Sequence, residues 1–103
     1  MSNMLHIVNK SPSERPALAS CLRLAVAGNS VLLIEDGVYA ALASSSSSEQ
    51  LQARGGELKL YVLEADLQAR GLQDDELIPG IELIDYAGFV DLVAGHTVNQ
   101  SWL

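Results

Sequence analysis

Four short apolar runs, MLHIV (4–8), VLLIE (31–35), LKLYVL (58–63) and IELI (81–84), constrain this chain more than any other feature, because each is followed by a segment with helical spacing. A continuous run such as VLLI, without polar alternation, suits a strand covered on both faces, the usual setting of a parallel strand flanked by helices. Parallel neighbours need a crossover connection, and the intervening segments supply one each time. The expected fold is α/β: a single small domain over residues 1–103, with a mostly parallel sheet of four to five strands and helices on both faces. A chain of this length has material for one core only.

The segments between the strands carry their own punctuation. SPSERP breaks the chain after the first strand, and Ser13 is placed to cap a helix that tolerates Glu14 and Pro16 in its first turn. From Ala17 to Ala27 the apolar residues Leu18, Cys21, Leu22 and Ala25 form one stripe, Ser20 and Arg23 face away, and Gly28 and Asn29 end the helix. Asp36 is placed to cap DGVYAALA, with Gly37 allowing the tight turn out of the strand. Ser44 to Ser48 reads as a surface loop, and Ser46 with Glu49 has capping-box spacing before a short helix EQLQAR that stops at Gly55. EADLQARG gives one or two helical turns and QDDELIPG an exposed acidic loop. Asp85 is placed to cap YAGFVDLVAG, with a stripe of Tyr86, Phe89, Val90 and Val93, and the tail HTVNQSWL adds an edge strand anchored by Trp102.

Charge and motif content exclude several chemistries. Thirteen acidic residues against six basic ones give a net charge of −7, and the cations are dispersed, so direct nucleic-acid binding is not expected and protein partners are. The apolar stretches fall far short of the ~20 residues of a membrane helix. MSNMLHIVNK has none of the marks of a secretory signal, so a cytoplasmic location is expected. With one cysteine, no internal disulfide forms, and with His6 and His96 far apart and no CxxC or HxxxH spacing, no metal site is expected. The turns after the strands, NKSPS, EDGVY, LEADL and IDYAG, contain no GxGxxG or Walker sequence, so no nucleotide cofactor is expected. Glu35 and Asp36 are adjacent carboxylates at a strand end, but adjacent residues leaving a strand diverge, and capping is the simpler use of Asp36. There is no GxSxG nucleophile elbow.

Cys21 is the one residue on which function turns. Its place in the apolar stripe argues for a core thiol, since free cysteine is among the most often buried residues. A reactive thiol needs a helix N-terminus or a neighbouring cation. Cys21 lies some two turns into its helix, and Arg23 points to the other side.

The start MLHIVNKSP, the block ASCLRLAVAGNSVLLIEDGVYAALA, the strand LKLYVLEADLQARG, the segment IPGIELIDYAGFVDL and the terminal SWL together resemble the TusB/DsrH family, in order and over nearly the whole chain. The resemblance implies a DsrE/F-like fold and a cytoplasmic heterohexamer with two copies each of this subunit, a DsrE/TusD-like sister and a DsrF/TusC-like sister. Such complexes take persulfide sulfur from a TusA-type donor and pass it toward a DsrC/TusE-type acceptor, for tRNA 2-thiouridine in one branch and dissimilatory sulfur oxidation in the other. The family's principal sulfur-carrying cysteine lies on the TusD/DsrE subunit, which makes this chain an accessory subunit. A cysteine at the position of Cys21 marks DsrH-like members, so ASCLRLA and EDGVYAALA point toward sulfur oxidation, with Cys21 as a candidate persulfide acceptor. Three alternatives stand beside that reading: a TusB-type subunit of the tRNA-thiolation relay, a sulfurtransferase in its own right through Cys21, and a stand-alone small-ligand module. Tyr39, Phe89 and Trp102 are the expected surface anchors for the sisters.

Overall fold

The computed structural model describes residues 4–12 and 16–102. Strands β1 (Met4–Val8), β2 (Ser30–Leu33), β3 (Lys59–Leu63), β4 (Glu82–Ile84) and β5 (Val98–Trp102) alternate with helices α1 (Ala17–Leu24), α2 (Ser48–Arg54), α3 (Glu64–Ala69) and α4 (Tyr86–Gly95). Two 3-10 segments, Glu35–Ala41 and Asp74–Glu76, complete the described elements. All strand pairs are parallel, in the order β4-β3-β2-β1-β5, so the expected edge strand at the end of the chain is present.

The order explains where the helices lie. From β1 to β4 the chain steps in one direction across the sheet, and right-handed crossovers place every connection of that run on the same face. The step from β4 back to β5 runs the other way, so its single helix, α4, falls on the opposite face. Packing agrees. On the first face Val8, Val31, Leu33, Leu60 and Val62 join Leu18, Cys21, Leu22, Val38, Leu51 and Leu67 in one core. The register carries Ser30, Lys59, Tyr61, Glu82 and Ile84 on the second face, where α4 alone lies against the sheet.

Several local expectations change. Ser13 and Glu14 lie outside the described residues, and α1 is entered from Pro16 without a side-chain cap. It ends at Leu24, before the expected Ala27, because Ala25 is already extended and Arg54 of α2 takes the carbonyls of Leu22 and Ala25 that another turn would use. The second strand stops at Leu33, and the next element is a 3-10 helix entered from an extended Ile34, with no cap from Asp36. A Cβ on Gly37 would stand 2.2 Å from the carbonyl oxygen of Val8, so this segment begins hard against β1 and winds tightly there. Asp36 instead accepts a hydrogen bond from Arg70 Nε at 3.0 Å. The Ser46–Glu49 capping box is absent: Ser47 precedes α2, and its hydroxyl pairs with that of Ser45 at 2.9 Å. Asp85 does cap α4, its Oδ1 accepting from the Gly88 N–H at 2.8 Å.

Half of the stripe on α4, Tyr86 and Val90, faces outward. None of its residues is buried, and Tyr86 and Val90 are 60% and 65% exposed. Of the three expected anchors, Tyr39 is exposed whereas Phe89 and Trp102 are half-buried. No described helix is long and apolar enough to cross a membrane.

Candidate functional site

Cys21 lies on the inner stripe of α1 and is 0% exposed. Burial pushes its thiol up to about 12, and the positive charge of Arg54 offsets only part of that rise. At neutral pH the sulfur is therefore a protonated, enclosed thiol, a poor nucleophile. The neighbouring cation is one that local pattern did not disclose. Arg23 is exposed and bonds the Ser20 hydroxyl at 3.4 Å, whereas Arg54 reaches across from α2. Its Nη2 donates to the Ala25 carbonyl at 2.8 Å and its Nη1 to that of Leu22, closing the C-terminal end of α1, while Nε donates to Glu57. Cations are favourable at that end of a helix.

The turns at the C-terminal ends of the strands are tied to one another. Glu35 adopts φ 49, a left-handed backbone that is uncommon for this residue type, and its N–H donates to Asp66 Oδ2 at 2.6 Å. The Glu35 carboxylate accepts from the Asn9 amide at 3.4 Å, while Asp36 turns to Arg70, whose Nη1 also donates to the Asp66 carbonyl at 3.1 Å. Glu35 and Asp36 thus take different partners and do not form an acid–base pair. No group of acidic, histidine and cysteine side chains among the described residues is arranged to hold a metal ion.

Both histidines are engaged in structural bonds. The indole N–H of Trp102 donates to His6 Nδ1 at 3.1 Å, which leaves the imidazole proton on Nε2 to donate to Asn29 Oδ1 at 3.0 Å. Asn29 Oδ1 also accepts from the Val26 N–H at 3.2 Å, so the chain of bonds runs from β5 through β1 to the loop behind α1. His96 donates from Nδ1 to the Leu92 carbonyl at 2.6 Å and accepts from the Ser30 hydroxyl at Nε2 at 2.9 Å. It both closes α4 and pins that end of the helix to β2.

The second face carries the other concave features. A groove of about 410 Å³ runs between α4 and the sheet, with Ser30, Lys59, Tyr61, Glu82, Asp91 and His96 among its lining residues. Burial, and then the negative charge of Glu82, push the Tyr61 phenol above its ordinary value. Beside the groove, Phe89, Val90, Val93 and Ala94 line an apolar hollow of about 360 Å³. The composition of α4 held a signal for this surface: Asp91 is the only charge in its ten residues, and a single helix over a sheet has more apolar surface than one contact can cover.

A family model described as DsrH like protein matches residues 10–99. Protein TusB of Serratia proteamaculans (strain 568) is 39% identical over 99 residues, covering 96% of this chain and 100% of its own length. Protein TusB of Escherichia coli (strain K12) shows the same identity and coverage. The crystal structure of the ychN protein from Escherichia coli superimposes with a TM-score of 0.88 over 99% of this chain and 100% of that chain at 17% identity, a likeness of fold.

Proposed function

The chain belongs to the TusB/DsrH family, and on that premise we propose that it is a TusB-type accessory subunit of a cytoplasmic sulfur relay, serving tRNA 2-thiouridine synthesis by binding sister subunits rather than by carrying sulfur. Relatives named TusB align over nearly its whole length, which supports this branch over the dissimilatory sulfur oxidation that ASCLRLA and EDGVYAALA suggested. DsrE/TusD-like and DsrF/TusC-like sisters are the direct partners, in a heterohexamer. The TusA-type donor and the TusE/DsrC-type acceptor engage the complex through the sister that holds the sulfur-carrying cysteine.

The enclosure of Cys21 carries the accessory role. Sulfur exchange between carriers needs an exposed thiolate, and the only cysteine of this chain is a buried thiol with its pKa near 12. Its neighbours in the core give it a packing role. The test is restoration of tRNA 2-thiouridine in a strain lacking its own TusB, with intact-mass measurement of each subunit after exposure to a persulfide-charged TusA-type donor. Wild type and Cys21→Ala should restore the modified nucleoside equally, with added sulfur on the sister only. Stoichiometric gain of one sulfur atom on this chain, lost in Cys21→Ala, would make it a carrier. Failure of the wild type to restore thiolation would return the assignment to the sulfur-oxidation branch.

A further inference from the structure

A helix with apolar residues nearly all round is normally buried. α4 is such a helix, YAGFVDLVAG, and none of its ten residues is buried in the described structure. Its outer surface presents Tyr86 and Val90, and Phe89, Val93 and Ala94 complete an apolar hollow with Val90. Soluble proteins keep large contiguous patches of this kind for contacts.

The groove on the other flank of α4 has the opposite chemistry. Lys59, Tyr61, Glu82 and Asp91 line it, and their side chains make no hydrogen bond or ion pair with any described residue. Glu82 and Asp91 outnumber Lys59, and the carbonyl end of α4 adds partial negative charge where Gly95 and His96 close the groove. The Tyr61 ring offers a face that stacks on a guanidinium or ammonium group. Small residues on the helix, Gly88 and Gly95, keep the groove open along its length.

We propose that the outer side of α4 and the groove beside it form the docking surface for a sister subunit, which covers the Tyr86–Val90 ridge with apolar side chains and inserts an arginine or lysine between Glu82, Asp91 and Tyr61. This inference rests on the relay reading and assigns the surface that reading requires. A second copy of this chain is a poor occupant. Asp91 follows Val90 directly, so a two-fold contact centred on the ridge buries like charges beside each other, and each copy carries −7 overall. A partner of opposite local charge removes the first of these penalties.

The experiment co-expresses the full chain with its DsrE/TusD-like and DsrF/TusC-like sisters and measures affinity at low and high salt. Val90→Asp should weaken the complex roughly tenfold or more. The isolated variant should melt like wild type, because Val90 is already 65% exposed. Glu82→Gln with Asp91→Asn should lower affinity and flatten its salt dependence. Leu24→Asp, at an exposed apolar site on the opposite face of the sheet, should leave the complex intact. A wild-type complex indifferent to Val90→Asp, or one released by Leu24→Asp in its place, overturns the α4 assignment while leaving the relay reading standing. Unchanged affinity and salt response in the Glu82/Asp91 variant overturns the inserted cation. Sedimentation of the isolated chain as a dimer that Val90→Asp dissociates gives the surface to a second copy. Absence of any wild-type complex overturns the relay reading itself and removes this occupant with it.

Discussion

Trp102 donates its indole N–H to Nδ1 of His6 across 3.1 Å, joining the last strand of the sheet to the first through side chains as well as through the backbone ladder. His6 passes the constraint to Asn29 at 3.0 Å, so the site holds three elements together: β1, β5 and the loop that enters β2.

His6→Phe keeps the ring volume and removes both hydrogen-bonding nitrogens. The Trp102 donor is then left without its acceptor, while Asn29 Oδ1 retains the Val26 N–H. The expected loss is about 1–3 kcal/mol, the cost of one unsatisfied partly buried polar group. Trp102 is the only tryptophan, so urea unfolding followed by its fluorescence measures the loss directly.

Cys21 makes stability depend on alkaline pH. The unfolded thiol titrates near 9.0 and the folded one near 12, so between these values the unfolded chain binds fewer protons than the folded one. Unfolding is therefore favoured as pH rises through this window, and the contribution present below pH 9 is lost by about pH 12. Comparing the slope of unfolding free energy against pH for wild type and Cys21→Ala isolates it: the variant should lose this part of the slope. A thiol reagent at pH 8 should modify native wild type slowly and the unfolded chain rapidly.

Gly37→Ala should cost roughly 3 kcal/mol or more, since the added carbon would stand 2.2 Å from a backbone oxygen that cannot move without distorting β1. Gly56→Ala meets nothing within 4 Å and should change stability by less than about 1 kcal/mol in either direction. The pair of melting curves distinguishes close approach from a general glycine effect.

Arg54→Ala uncaps α1. It removes the charged donor to the Leu22 and Ala25 carbonyls and withdraws the positive charge that restrains the Cys21 pKa. The expected stability loss is about 1–3 kcal/mol, and hydrogen exchange should quicken at the end of α1 first. Because the guanidinium lowers the thiol pKa, the alkaline limit of the Cys21 titration should move further upward in the variant.

The alternation of apolar runs with helical segments was sufficient to anticipate a parallel α/β sheet and its edge strand, because strand burial and crossover length are written locally. What escaped local pattern was mostly partner choice. Asp36 looked like a helix cap, since nothing nearby in the chain shows Arg70 arriving from just after α3 or Gly37 pressed against Val8. Arg54 acts beside Cys21 only because α2 packs across the end of α1. The stripe on α4 was visible as a period, but period alone does not reveal that reversal of strand order leaves one helix on that face. The enclosure of Cys21 was likewise beyond local pattern, because it depends on residues from several elements at once.

The pairing of β5 with β1 also sets a schedule for synthesis. A ribosome completes the β1–β2 pair early, yet the outer edge of β1 has no partner until Val98–Trp102 has been translated and has left the exit tunnel. Until then Met4–Val8 presents an open ladder of backbone groups, a template for pairing with any extended segment nearby. A chain ordered only as far as α4 therefore keeps an open sheet edge at β1, and the pairing of Val98–Trp102 is what closes it.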